Sequence, residues 1–237
     1  MSHGRREVDV YTGCPPRRLG GCVAAARRDF SVAATASSVL HGCSREQPVQ
    51  VFFVWFDCDK SPGGCYKTAD IDEKSIRKEK PEELVMVLAE AKADAIMSKL
   101  KASNCEEHEE PTLLITADQV VVHGEVIREK PSSKDEARQF IKGYSGGHAA
   151  TVGSVVVTNL KTGVRRGGWD KAEIYFHAIP DEVVESLIEE GTVLYVAGGL
   201  MVEHPLTSPF VNAVVGTIDS VMGLSKDLTQ KLIQEVL

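Results

Sequence analysis

The chain has 237 residues, 43% hydrophobic and 26% charged, which is enough for one large domain or two small ones. No apolar run approaches the ~18 residues that cross a bilayer, so no membrane segment is expected. A formal net charge of -7 argues against binding nucleic acid through the overall field, and a small anionic substrate would need local lysines or a metal ion to offset it.

Composition divides the chain near Thr68. Residues 1–67 are rich in Arg, Ala, Ser and Cys, with arginine pairs at Arg5-Arg6, Arg17-Arg18 and Arg27-Arg28 and no sustained period. Such a segment fits a disordered extension, an organelle transit peptide, or an aberrant splice product. Within it only VFFVWF, Val51 to Phe56, is strongly strand-like. Five of the six cysteines precede residue 70 and none forms a CxxC pair, so reduced thiols are expected rather than a zinc site or a disulfide framework.

Residues 68–237 read as a folded domain. PEELVMVLAEAKADAIMSKLKA predicts a helix with Pro81 at its start, two glutamates in its first turn, and Leu84, Leu88, Ala91, Ala95 and Ile96 on its apolar face. TLLITA predicts a strand that stops at Asp118, and VVVHGEVI a hairpin turning on His123-Gly124. Ser133 and Glu136 form a capping box for a helix that Gly143 should stop. Two strands follow, TVGSVVVTNL and AEIYFHAI, linked by the turn-rich KTGVRRGG. PDEVVESLIEEG is a short helix closed by glycine, and Ser225 should cap a last one. Without strict βαβ alternation, a mixed β-sheet with flanking helices is expected, in the α/β class.

Four features of this half carry chemical potential. Asp118 closes an apolar strand, where ligands of open α/β sheets sit, although a turn aspartate reads the same way. The acid cluster Asp70, Asp72 and Glu73 fits either a solvated loop or, through Glu73 with Asp118, the carboxylate pair that a phosphate-bound divalent cation takes. Lys92 lies among alanines and Lys130 is held extended before Pro131. Each alone reads as a surface lysine; together they can neutralise a polyphosphate. Gly198-Gly199 permits a close backbone approach, and Glu203 beyond it can accept from a base edge. His148 reads as a structural histidine. A GxxxxGK[ST] loop is missing, which disfavours the common phosphate-loop nucleotide folds.

In order, DIDEKSIR, LAEAKADAI, ITADQVV, EKP, GYSGGHAATV, VAGG with Glu203, and VMGLS resemble the Maf family of nucleoside triphosphate pyrophosphatases, from about Thr68 to the C-terminus. The resemblance implies a two-lobed, inosine-triphosphatase-like architecture with the active site in the cleft between lobes. It implies cleavage of a nucleoside triphosphate to the monophosphate and pyrophosphate with a divalent metal cation (Mg, Mn or Co). Glu73 and Asp118 would serve at the metal and the attacking water, and Lys92 and Lys130 on the triphosphate. Glu203 would lie near the base. Its glutamate form is similar to members acting on 7-methyl-GTP, the glutamine form to those acting on dTTP and UTP. Modified or pyrimidine nucleotides are thus the implied substrates, a homodimer the common assembly, and the cytoplasm the expected location unless residues 1–67 direct the chain to an organelle.

One family feature is displaced. Members carry a Ser-x-Ser-Pro-Arg-Arg phosphate loop just before the DIDE-like segment, and nothing there matches it. GCPPRRLGG, with Arg17 and Arg18, matches in part but lies far upstream. Either the intervening stretch loops out and leaves both arginines in the site, or residues 1–67 are an aberrant splice product unrelated to the fold and the chain, lacking the loop, is a catalytically impaired nucleotide-binding or regulatory protein.

Overall fold

A computed structural model describes residues 10–11, 50–54, 71–102 and 112–237. All six cysteines, Asp70, Arg17 and Arg18 lie outside the described residues. The elements run β1 (Val10–Tyr11), β2 (Gln50–Val54), a 3-10 turn (Glu73–Ser75), α1 (Pro81–Ala102), β3 (Thr112–His123), β4 (Val126–Arg128), α2 (Lys134–Tyr144), β5 (His148–Asn159), β6 (Arg165–Phe176), α3 (Asp181–Glu190), β7 (Val211–Val215), α4 (Ile218–Val221) and α5 (Lys226–Val236). The strands form one mixed sheet in the order β1-β2-β3-β5-β6-β7, with β4 also on β3. The expected α/β class with flanking helices is what the chain adopts, and the strand-like run at Val51 supplies β2, parallel to β3.

The central strand differs from expectation. LLITA and VVVH are one continuous β3, so Asp118 sits inside a strand, not past its end. The sequence hides this because an acid between two apolar runs looks like punctuation, whereas β5 pairs β3 continuously from Leu113 to Val122. The link to β6 is likewise shorter than predicted. Only residues 160–164 turn, and Arg165 to Gly168 already belong to the strand.

Period-two alternation along β3 sorts its side chains between two layers. Leu113, Ile115 and Ala117 face α5 and pack with Leu232, Ile233 and Val236. Leu114, Val120 and Val152 face α1, whose Leu84, Val85, Leu88, Ala89, Ala93 and Ile96 are buried. That stripe is turned from the predicted one: Ala91 and Ala95 are only half-buried, and Lys92 occupies the buried face instead. A lysine read as polar is assigned outward by pattern; here it points in because acids await it.

The hairpin turns on Gly124-Glu125, whose φ values of 56° and 64° match the twist of the strands it joins. Ser133 Oγ accepts from Glu136 N at 3.1 Å as a capping box requires, but the Glu136 carboxylate reaches back to Ser132 instead of Ser133. Gly143 does not end α2. It lies inside the helix, where a Cβ would come within 3.1 Å of the Arg128 guanidinium. Ser225 does precede α5, with no side-chain bond to it.

Gly198, with φ of 60°, shows why the paired glycines are needed. A Cβ there would lie 2.6 Å from Val121 Cβ and 2.7 Å from Tyr144 Oη. The close approach is to the protein's own core, and Tyr144 Oη donates to Gly198 O at 2.8 Å. Gly198→Ala should therefore lower stability by about 2–4 kcal/mol, combining overpacking with left-handed strain. At Gly199 a Cβ would find its nearest neighbours at 3.6 Å, so Gly199→Ala should lose only about 1–2 kcal/mol. Urea denaturation of both variants measures the difference.

Candidate active site

β3 is paired on one edge throughout, but its other edge changes partner. β2 runs parallel to it as far as Thr116, and β4 joins antiparallel from Val121. Residues Ala117 to Val120 pair with neither, so the sheet has a gap where neighbouring strands diverge. Such gaps are where open α/β sheets take ligands. Asp118 lies in it, facing α1.

Three charged groups converge there. Lys92 Nζ donates to Asp118 Oδ1 at 2.6 Å and pairs with Glu73 Oε1 at 2.9 Å. The side chains of Lys92 and Asp118 are 5% and 3% exposed, while Glu73 is 40% exposed. The ammonium thus joins a deep acid to one at the surface. Thr116 Oγ1 donates to Ala89 O at 2.8 Å and Ser154 Oγ to Val85 O at 2.7 Å, which fixes α1 over the sheet and so holds Lys92 above Asp118.

Burial pushes the Asp118 carboxyl up to about 6; the Lys92 charge and hydrogen bond oppose this, and the negative charge of Glu73 adds to it. For Lys92, burial opposes the charged form, yet the charges and hydrogen bonds of Asp118 and Glu73 together outweigh it and raise the ammonium above its ordinary value. Asp118 is consequently a carboxylate at neutral pH that binds a proton more readily than an exposed one. That is the property a general base needs.

Of the other candidates, Lys130 is half-buried and close enough for its charge to act on Asp118. Asp72 is exposed and caps the 3-10 turn without entering the trio. Glu203 is exposed, on the turns after Gly199, and makes no hydrogen bond or ion pair among the described residues. His148 stacks on Tyr175 with ring centres 5.2 Å apart, consistent with a structural residue. Sequence patterns missed Arg77. Its Nη1 donates to Glu73 O and Ile76 O and pairs with Glu129 beside Lys130, but an arginine in SIRKEKPEE gives no local signal.

The donor set suits a cation that is shared with a ligand. Among the described residues no group of three or more His, Cys, Asp or Glu could hold a metal alone. Asp118 Oδ2 and Glu73 Oε2 accept no hydrogen bond among those residues. Two carboxylates with oxygens to spare are what a divalent ion bridging to phosphates requires. Lysines at the same gap suit the phosphates themselves.

A family profile described as "Maf-like protein" matches residues 63–236. The chain is 39% identical to the 7-methyl-GTP pyrophosphatase of Dictyostelium discoideum, over 73% of this chain and 88% of that one. It is 25% identical to the nucleoside triphosphate pyrophosphatase of Salinispora tropica, over 70% and 71% of the two chains. Against the dTTP/UTP pyrophosphatase of Alkaliphilus metalliredigens the figures are 28%, 66% and 76%.

Proposed function

The chain belongs to the Maf-like protein family, and on that premise we propose that it hydrolyses a nucleoside triphosphate to the nucleoside monophosphate and pyrophosphate, with 7-methyl-GTP as the preferred substrate. The observation that carries this is the buried Lys92 joined to both Asp118 and Glu73 at the gap in the sheet edge. A buried ammonium with two acids is costly to maintain for stability alone. It suits a site whose ligand brings several negative charges. Residues 68–237 are the catalytic domain on this reading.

Glu73 and Asp118 would hold a divalent cation, which when bound neutralises phosphate charge and makes a water more acidic. Lys92 and Lys130 bind the triphosphate and orient its α-phosphorus toward Asp118. Water attacks that phosphorus as Asp118 accepts its proton, the bond to the bridging oxygen breaks, and pyrophosphate leaves carrying the electron pair. The lysines stabilise the charge on the leaving group. Burial of Asp118 excludes bulk water that would otherwise weaken these interactions.

The base preference is supported by the 7-methyl-GTP pyrophosphatase among the relatives and by Glu203, whose exposed carboxylate has no partner within the described residues. A carboxylate accepts two N–H groups, and a carboxamide in its place offers one donor and one acceptor. Glu203→Gln should thus lower kcat/KM for 7-methyl-GTP by about 10–100-fold, the worth of one or two base-edge hydrogen bonds. Activity on UTP or dTTP should be unchanged or raised.

The test is pyrophosphate release from a panel of 7-methyl-GTP, UTP, dTTP, CTP, GTP and ATP with magnesium or manganese. Release at multiple turnovers supports the enzyme. Calorimetric binding of a triphosphate without release supports the impaired, regulatory alternative that the displaced Ser-x-Ser-Pro-Arg-Arg loop suggests.

A further inference from the structure

We infer that Arg77 and Glu129 form a clasp that sets Lys130 opposite Glu73, which makes Arg77 a positioning residue of the phosphate site. The inference rests on the pyrophosphatase reading. Arg77 Nη1 donates to Ile76 O at 2.9 Å and Glu73 O at 3.3 Å, and pairs with Glu129 Oε1 at 3.1 Å. One guanidinium nitrogen therefore touches the backbone of the Glu73 turn and the side chain next to Lys130. Glu129 is held from its other side, since its carbonyl accepts from Gly198 N at 2.9 Å. The Glu73 turn, the Glu129-Lys130-Pro131 segment and the Gly198 turn are thereby tied into one rim.

The tie joins two short segments. The Glu73–Ser75 turn is three residues long and buries none of them. Lys130 follows the end of β4, a strand of three residues. Ile76 and Ile127 pack against the Leu84–Val120 cluster and bring the two segments near each other. Apolar packing is non-directional, so it sets the proximity of the two segments and not their orientation. A hydrogen-bonded charge pair supplies direction. Arg77 and Glu129 are 54% and 45% exposed, so the pair does little for global stability. Its role is geometric, and small displacements of a phosphate-binding group lower rate steeply.

A double-mutant cycle with 7-methyl-GTP tests it. Arg77→Met and Glu129→Gln should each lower kcat/KM about tenfold, and the double variant should fall no further, because either change opens the same clasp. Arg77→Lys should restore part of the loss, and Tm should be the same throughout. If Arg77 instead bound phosphate itself, Glu129→Gln would leave kcat/KM unchanged or raise it. That result, or losses that multiply to about a hundredfold in the double variant, overturns the clasp alone. An unsubstituted chain that releases no pyrophosphate overturns the underlying reading and the clasp with it.

Discussion

Asp118→Asn is expected to lower kcat for pyrophosphate release by about 10²–10⁴-fold, the usual worth of a positioned general base. Asparagine has the same shape, and its carbonyl oxygen can still accept the Lys92 hydrogen bond now 2.6 Å long. The substitution therefore removes charge and basicity while leaving the packing of β3 in place. Full turnover in the variant would remove Asp118 from the mechanism.

The same substitution has a second signature, visible in chelator without substrate. Asp118 in the folded chain titrates near 6, above its unfolded value of 3.8, because burial disfavours the carboxylate. Between those values the folded state binds more protons than the unfolded one. Its contribution to stability therefore falls as pH rises through the window. Asparagine has no such term, so the stability of Asp118→Asn relative to the unsubstituted chain should increase from pH 4 to pH 7. A difference that stays flat over that range would mean that Asp118 is not desolvated as described. Together, the two measurements separate the chemical role of the residue from the electrostatic burden of burying it.

Much of this site is legible in the sequence because it is written in local chemistry. Glu73, Lys92, Asp118 and Lys130 stand out as acids and lysines beside strands, a helix and a proline, and the first three meet in one cluster with Glu73 at its surface. The stop of α3 at Gly191, the hairpin and the α/β class follow from periodicity and turn residues. What stays hidden depends on pairing between distant segments. That β3 continues through Asp118 is decided by β5 some thirty-six residues later, with Asp118 opposite Ser154. That its other edge passes from β2 to β4 depends on two more strands, and this exchange makes the gap. Gly198 looks like a ligand-facing glycine until Val121 and Tyr144 are brought against it. Lys92 misled the helix pattern for a related reason: its buried position makes sense only once both acids are in place.

Lys92→Met should do more damage to the fold than any other single change at this site. Methionine fits the stem of the lysine among its alanine neighbours, so the change isolates the charge. Without the ammonium, Asp118 keeps its burial and the repulsion of Glu73 and loses its strongest stabilising partner, leaving only the more distant pull of Lys130. Breaking a buried pair in this way typically costs about 3–5 kcal/mol. The loss has an escape route, however. A carboxyl already raised to about 6 is raised further when Lys92 goes, and it can shed the penalty by taking up a proton. The unfolded carboxyl does not share that shift, so the variant should be far less stable at pH 7.5 and should recover much of the difference near pH 5. Denaturation at the two pH values reads this directly. Equal losses at both would mean that Lys92 acts by packing, not by charge. Pyrophosphate release should collapse at neutral pH for the same reason, since a protonated Asp118 has no capacity to accept a proton and the triphosphate has lost a cation. Arg in place of Lys92 should rescue neither property, because a planar guanidinium fork does not reproduce the single ammonium that meets both Asp118 and Glu73 in a buried position.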